Sequence, residues 1–285
     1  MDSSIAIVGA GRVGAAFGLA LWKRGVPVVA IASRDRGRAE KAAQLIEGAR
    51  PVSIAEIPAI AERILIAVSD AAIPEVAAEL ARAGMVRGAA LHTSGCRGPE
   101  ALSPLAAAGV SVGTLHPLQT FPTPEIGAGR LPGSSFAIGG DSAALAWAEE
   151  IVGLLHGNAL RIRDEHWALY HAAAVIASNY HATILDAALE CLEAAGVSRT
   201  DGLKALAPLV EGTMQAILRL GPQQALTGPI SRGDLESVRR NREALRAVSS
   251  ATRSIYDSLG LRTIEIMKRR GMPAAVSEKL KEALL

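Results

Sequence analysis

Ser4-Ile5-Ala6-Ile7-Val8 runs directly into Gly9-Ala10-Gly11-Arg12-Val13-Gly14, and an alanine-rich helical segment follows. A strand, a tight turn and a helix in that order account for each glycine. The first makes the turn, the second lets a ligand approach the backbone, and the third lets helix and strand pack closely. "VPVVAIASR" then reads as a second strand and "RAEKAAQLIEG" as a second helix, which completes a βαβ unit. The alternation continues through the strand candidates "RILIAVSD", "GAALHTSG", "VSVGTLHP", "SSFAIGG" and "ALRIR", with helical stretches between them. This predicts an α/β chain with a Rossmann-type, doubly wound, mostly parallel sheet covered on both faces. From Glu165 onward only helical periodicity remains, so the expected division is a dinucleotide-binding domain over 1–164 and an all-helical C-terminal domain over 165–285.

Composition narrows the function classes. Of 285 residues, 49% are hydrophobic and 20% charged, with a formal net charge of +2 and scattered arginines. Neither nucleic acid nor a membrane is expected as a partner. The most apolar long stretch, "HWALYHAAAVIASNYHATILDAALECL", is interrupted by Tyr170, His171, Asn179, Tyr180 and His181, which reads as a central helix of a soluble domain. Cys96 and Cys191 are the only cysteines and lack metal-type spacing, so no metal is expected. Reduced thiols, together with a start that lacks a basic n-region, point to a cytoplasmic protein.

Gly9, Gly11, Arg12, Val13 and Gly14 are the expected pyrophosphate contacts, because a helix N-terminus offers free N–H groups and a positive dipole end. An acidic residue about 20 residues past the glycines would hold the ribose 2′-hydroxyl of NAD. The segment here is Ala32-Ser33-Arg34-Asp35-Arg36. Ser33, Arg34 and Arg36 suit a 2′-phosphate, so NADP(H) is the expected cofactor; an inward-pointing Asp35 would instead favour NAD.

Ligands of an open parallel sheet bind beyond the carboxyl ends of its strands. Val68-Ser69-Asp70, His92-Thr93-Ser94-Gly95 and His116-Pro117-Leu118-Gln119-Thr120 all lie at such ends. Val68, Ser69, Asp70 and Thr93 are candidates for the cofactor, Ser94 for a catalytic contact and Gln119 for substrate. Helix capping is the competing explanation for Ser69, Asp70, Thr93 and Ser94. Reduction of a carbonyl or imine needs a proton donor, and histidine suits that role near neutral pH. His116, held at a strand exit by Pro117, is the candidate acid/base; His92 reads as structural. No lysine occurs between Lys41 and Lys204, which removes lysine as a donor from these loops.

If the long apolar stretch is one helix, Tyr170 and His181 fall within about 20° of each other, and His171 pairs with Ser178. Tyr170, Ser178 and His181 are therefore candidate substrate contacts, with Asn179 a further catalytic candidate. "ALTGPISRGD" adds Thr227 and Arg232, while Asp234 is placed to cap the next helix.

The ordered set of glycine string, "HTSG", "LHPLQTF", "YHAAAVIASNYHATILDAA" and "ALTGPISRGD" resembles a bacterial family that pairs a Rossmann-like domain with a DUF2520 helical domain. The resemblance covers nearly the whole chain and implies an NADP-dependent oxidoreductase, with ketopantoate reductase activity associated with some relatives. The architecture is similar to that of pyrroline-5-carboxylate reductase, ketopantoate reductase and 6-phosphogluconate dehydrogenase, which implies a homodimer through the helical domain. A serine after the fifth strand and a His-Pro after the sixth also resemble prephenate dehydrogenase, which implies substrate contacts for Ser94 and His116. The expected activity is NADPH-dependent reduction of a small carboxylated 2-oxo acid or cyclic imine between the domains. The alternatives are a hydroxyacid dehydrogenase working oxidatively and a non-enzymatic NADP(H) sensor.

Overall fold

Strand β1 (Ile5–Val8) is apolar at every position and buried throughout, the pattern of a strand covered on both faces. Its side chains alternate. Ile5 and Ile7 join one apolar core with Phe17, Leu21 and Trp147, whereas Ala6 and Val8 join another with Ile73, Leu80 and Leu102. The computed structural model describes residues 4–285 and falls into two units, one ending at Val175 and the other running from Ile176 to Leu285.

In the first unit β1 is followed by α1 (Arg12–Trp22), β2 (Val28–Ala32), α2 (Arg36–Ala43), β3 (Arg50–Val52), β4 (Arg63–Ile66) and α3 (Ile73–Arg82). Next come β5 (Ala89–His92), α4 (Ser103–Ala107), β6 (Ser111–Pro117), α5 (Pro124–Arg130), β7 (Ser135–Gly140), α6 (Ser142–Leu154) and β8 (Asn158–Arg161). The sheet has the order β3-β2-β1-β4-β5-β6-β7-β8. Every neighbouring pair is parallel except β6 and β7, so the sheet is Rossmann-type, doubly wound and mostly parallel. The winding reverses between β1 and β4, and the exits of these two strands form the switch point where such sheets bind ligands.

Helix α7 (Trp167–Ala177) begins in this unit, and α8 (Asn179–Ala194) follows it after a single residue. The single central helix expected over this stretch is therefore interrupted. Ser178 leaves helical geometry with φ −130° and ψ −67°. Serine and asparagine compete for backbone hydrogen bonds and favour helix ends over interiors, which accounts for a break at Ser178-Asn179. The angular pairing of Tyr170 with His181, and of His171 with Ser178, does not survive it.

The second unit is all helical: α8, α9 (Arg199–Leu220), α10 (Pro222–Ala225), α11 (Pro229–Arg232), α12 (Leu235–Ala244), α13 (Ser250–Arg269) and α14 (Ala274–Leu284). Ile230, Val238, Ile264, Met267, Leu280 and Leu284 form its core. Asp234 caps α12 as expected, accepting the Ser237 N–H at 3.0 Å. α9 is different: of its 22 residues only Gly202 is buried. Among the described residues no helix is long and apolar enough to cross a membrane.

Candidate active site

The glycine string is shaped as the turn requires. Gly9 takes φ +115°, and a Cβ there would meet the Ala67 carbonyl oxygen at 2.2 Å. A Cβ on Gly14 would lie 1.9 Å from the Gly9 carbonyl oxygen, so α1 is pressed against the β1 exit. At Gly11 the reverse holds, because none of the described residues lies within 4 Å of the Cβ position. Gly11 is also the N-cap of α1 and supplies no side-chain acceptor, which leaves the first-turn N–H groups open to a ligand. Open space above free donors fits the pyrophosphate of a dinucleotide. Arg12 is exposed beside it, and Val13 packs partly into the core.

At the β2 exit Asp35 is committed locally. Its carboxylate accepts the Arg38 N–H at 3.2 Å as the N-cap of α2 and pairs with Arg38 Nε at 3.3 Å. Ser33 Oγ accepts the Asp35 N–H at 3.3 Å, and Arg36 is paired with Glu40 at 3.1 Å. Arg34 is exposed and makes no ion pair among the described residues.

Val68 touches the Gly9 position, its Cγ1 lying 3.1 Å from where a Cβ would be. Ser69 and Asp70 are exposed after β4, and the Ser69 side chain makes no capping bond. Thr93 N–H continues the β4 ladder by donating to Ile66 O at 3.0 Å. Ser94 is buried, and its Oγ accepts the Cys96 and Arg97 N–H groups at 3.2 Å each, so its acceptor side already holds the loop. His92 braces that loop from beneath. Its Nδ1 accepts the Ser94 N–H at 3.2 Å, which places the ring proton on Nε2, 2.9 Å from Gly98 O and 3.0 Å from Thr114 Oγ1. Burial lowers its pKa further. The side-chain amide of Gln119 is engaged at both ends, donating to Ser134 Oγ at 3.3 Å and accepting the Thr120 N–H at 2.9 Å.

Strand register sets the centre of the site. His92 pairs with Thr114, so β6 runs on past the end of β5 and brings His116 level with the Ser94-Gly95 loop. The imidazole rests on Gly95, where an added Cβ would meet three ring atoms at 2.7, 2.8 and 2.9 Å. On its other side His116 Nδ1 lies 2.8 Å from the Tyr170 hydroxyl of α7, and the His171 ring stands edge-on at 6.1 Å. Burial, reinforced by His171, lowers the His116 pKa to about 4. Burial alone pushes the Tyr170 phenol up to about 12. At neutral pH the imidazole is uncharged and the phenol keeps its proton. His171 Nδ1 is buried with no hydrogen-bond partner among the described residues. Gly95, Trp167 and His171 were absent from the expected site, and the glycine directly after Ser94 was the one signal that pointed at close packing.

The second unit holds the remaining candidates. Ser178, Asn179 and His181 are exposed around the start of α8, and Arg232 is exposed at the end of α11. Thr227 lines an apolar cavity of about 570 Å³ within this unit, together with Ala187, Cys191, Leu226, Tyr256 and Leu259. Among the described residues no group of three or more His, Cys, Asp or Glu converges as metal ligands.

Residues 2–117 match the model of a Rossmann-like domain, and residues 134–263 match the one described as Domain of unknown function (DUF2520). No curated protein matches the chain. Among solved structures, a Thermotoga maritima protein is similar at 23% identity and TM-score 0.75, covering 94% of this chain and 100% of that one. A candidate NADP oxidoreductase from Bacteroides fragilis is 23% identical with TM-score 0.73, covering 90% and 96%. A reductive aminase from Aspergillus terreus in complex with NADPH and ethyl levulinate is 18% identical with TM-score 0.67, covering 99% of both chains. At these identities the likeness is one of fold.

Proposed function

Because this chain joins a Rossmann-like domain to a DUF2520 domain, we propose that it is an NADPH-dependent oxidoreductase that reduces a C=O or C=N bond of a small substrate, a 2-oxo acid or a cyclic imine. The observation that carries this reading is the alignment of one sheet edge. The glycine turn follows β1, and the His116–Tyr170 pair stands at the exit of β6, with β4 and β5 between them. Three strand intervals span roughly 14 Å, a distance suited to a dinucleotide bound by its pyrophosphate at one end and reacting at the other. The reduced nicotinamide, when bound, supplies the hydride. The protein's part is to hold the diphosphate on α1 and deliver a proton from the His116–Tyr170 pair. NADPH as ligand of the Aspergillus terreus neighbour, and NADP in the description of the Bacteroides fragilis one, are consistent with this cofactor, and the aminase with imine chemistry. The test is NADPH consumption, followed by absorbance, across a panel of 2-oxo acids and imines. No turnover with any member, despite tight NADPH binding, would leave a sensor as the better reading.

The cofactor choice rests on Asp35, whose carboxylate is spent on the α2 N-cap, while Arg34 stays free for a 2′-phosphate. NADPH is expected to bind at least about tenfold tighter than NADH, and Arg34→Ala to remove most of that gap, about 1.4 kcal/mol for each factor of ten. Tighter binding of NADH by the unmodified protein would refute the assignment.

We also propose that the chain works as a homodimer through its helical unit. α9 buries only Gly202, yet Leu209 is 65% and Leu218 81% exposed. An apolar helix left bare in this way is stable in water only when covered, and a second copy of the same chain is always at hand. Sedimentation should give a dimer, and the double substitution Leu209→Glu/Leu218→Glu a folded monomer; a monomeric parent protein would refute this.

A further inference from the structure

Reduction of a C=O or C=N bond requires one member of the His116–Tyr170 pair to give up a proton, and the choice between them rests on the oxidoreductase reading. We propose that Tyr170 is the proton donor to the substrate, and that His116 is a positioning residue acting through it by donating its Nδ1–H to the phenol oxygen. The contact at 2.8 Å has two possible directions. If the phenol donated to Nδ1, its only proton would be spent inside the protein and nothing would remain for a substrate. If Nδ1–H donates, the phenol O–H is free to point outward, and the phenolate formed on transfer keeps a hydrogen bond at once.

The surroundings favour the second direction. The ring cannot swing away from Tyr170, because one face is seated on Gly95 and the His171 ring stands edge-on beside it. Nε2, on the far side, makes no hydrogen bond among the described residues, so an unprotonated Nε2 is no worse placed there than a protonated one. Trp167 packs edge-on against Tyr170 at 5.9 Å and fixes the phenol from the other side. The ionisable groups that face His116 are Asp70, His92 and His171; Asp70 favours an imidazolium, whereas burial and the two histidines oppose it. With its pKa lowered to about 4 by burial, His116 is neutral at pH 7, the state in which a ring N–H can be donated to the phenol while the other nitrogen stays unprotonated.

The step balances without further reagents. As the substrate carbon gains a hydride, the Tyr170 O–H bond breaks and a new bond forms from that proton to the carbonyl oxygen or imine nitrogen. The phenolate then takes the Nδ1 proton while Nε2 takes one from solvent water, whose hydroxide leaves to the bulk as the one proton consumed per turnover, and this restores a neutral phenol and a neutral imidazole. Exchange of the ring proton between the nitrogens resets the pair.

The first test needs no cofactor. In ¹⁵N NMR of the full-length protein between pH 6 and 8, with His116 assigned by comparison with His116→Asn, the ring is expected as the neutral Nδ1–H form, shifting to the Nε2–H form in Tyr170→Phe. A neutral Nε2–H form in the unmodified protein, or a charged ring at pH 6, would overturn the proposal. The second test uses turnover. Tyr170→Phe should lower kcat by about 10²- to 10⁴-fold with the NADPH Kd unchanged. His116→Asn, whose amide can still donate to the phenol, should retain more of kcat than His116→Leu. The rate should stay level from pH 6 to 9, whereas a fall of about tenfold for each pH unit gained across that range would identify His116, titrating near 4, as the donor. A protein that binds no NADPH would refute the oxidoreductase reading and leave the tautomer result standing by itself.

Discussion

Gly14→Ala is expected to abolish NADPH binding and to lower the melting temperature, while Gly11→Ala abolishes binding with no change in melting. The two glycines sit three residues apart in one turn, yet their surroundings are opposite. At Gly14 the new methyl would fall 1.9 Å from the Gly9 carbonyl oxygen and 3.2 Å from Ala67 Cβ. The first of these is backbone and cannot rotate away, so α1 must lift from the β1 exit by about an ångström, at a cost of roughly 1–3 kcal/mol. The N–H groups that would hold a pyrophosphate lift with it, and affinity should fall at least about 100-fold, or about 2.7 kcal/mol. At Gly11 the methyl meets none of the described residues within 4 Å, so stability should hold to within about 0.5 kcal/mol. That methyl would instead occupy the space a diphosphate needs. NADPH fluorescence titration and circular dichroism melting separate the two effects. Unaltered NADPH binding by Gly11→Ala would show that the ligand approaches elsewhere.

The contrast shows which parts of this molecule are legible in the sequence. The glycine turn is legible because all its constraints are local: strand, turn and helix are contiguous, and each glycine has its own steric reason. The loops of Ser94 and His116 are legible as strand exits for the same reason. The partnership of His116 with Tyr170 is not, since the two are 54 residues apart and only the register of β6 and the position of α7 bring them together. The expectation of one helix from His166 to Leu192 fails because apolar periodicity runs unbroken through a point where Ser178 and Asn179 break the backbone pattern. Asp35 could be read either as a ribose ligand or as a cap, and in the structure its carboxylate accepts the Arg38 N–H as the cap of α2. Gln119 shows the same limit from the other side: a polar residue at the expected edge is consumed by Ser134 and Thr120, partners that no spacing rule indicates.

Trp167→Ala should cost about 3–5 kcal/mol of stability and, at temperatures where the variant remains folded, most of the activity. Trp167 is the only buried residue of α7 and is 2% exposed. The indole is wedged where two glycines leave room. A Cβ on Gly98 would meet its Cδ1 at 2.7 Å, and one on Gly139 its Cζ2 at 2.8 Å. Alanine leaves that slot empty, and the start of α7 loses the contact that holds Tyr170 against His116. Stability and activity should therefore fall together, unlike in Tyr170→Phe, where activity falls alone. Trp167→Phe separates packing from polarity. It refills much of the slot and removes Nε1, a buried donor without a partner among the described residues, so its cost should stay near 1–2 kcal/mol. Thermal melting checks the first claim, and the His116 tautomer, read by NMR as for Tyr170→Phe, checks the second. If Trp167→Ala keeps the Nδ1–H form of His116, the phenol is placed by something other than this anchor, and the link from the buried indole to the proton donor is wrong.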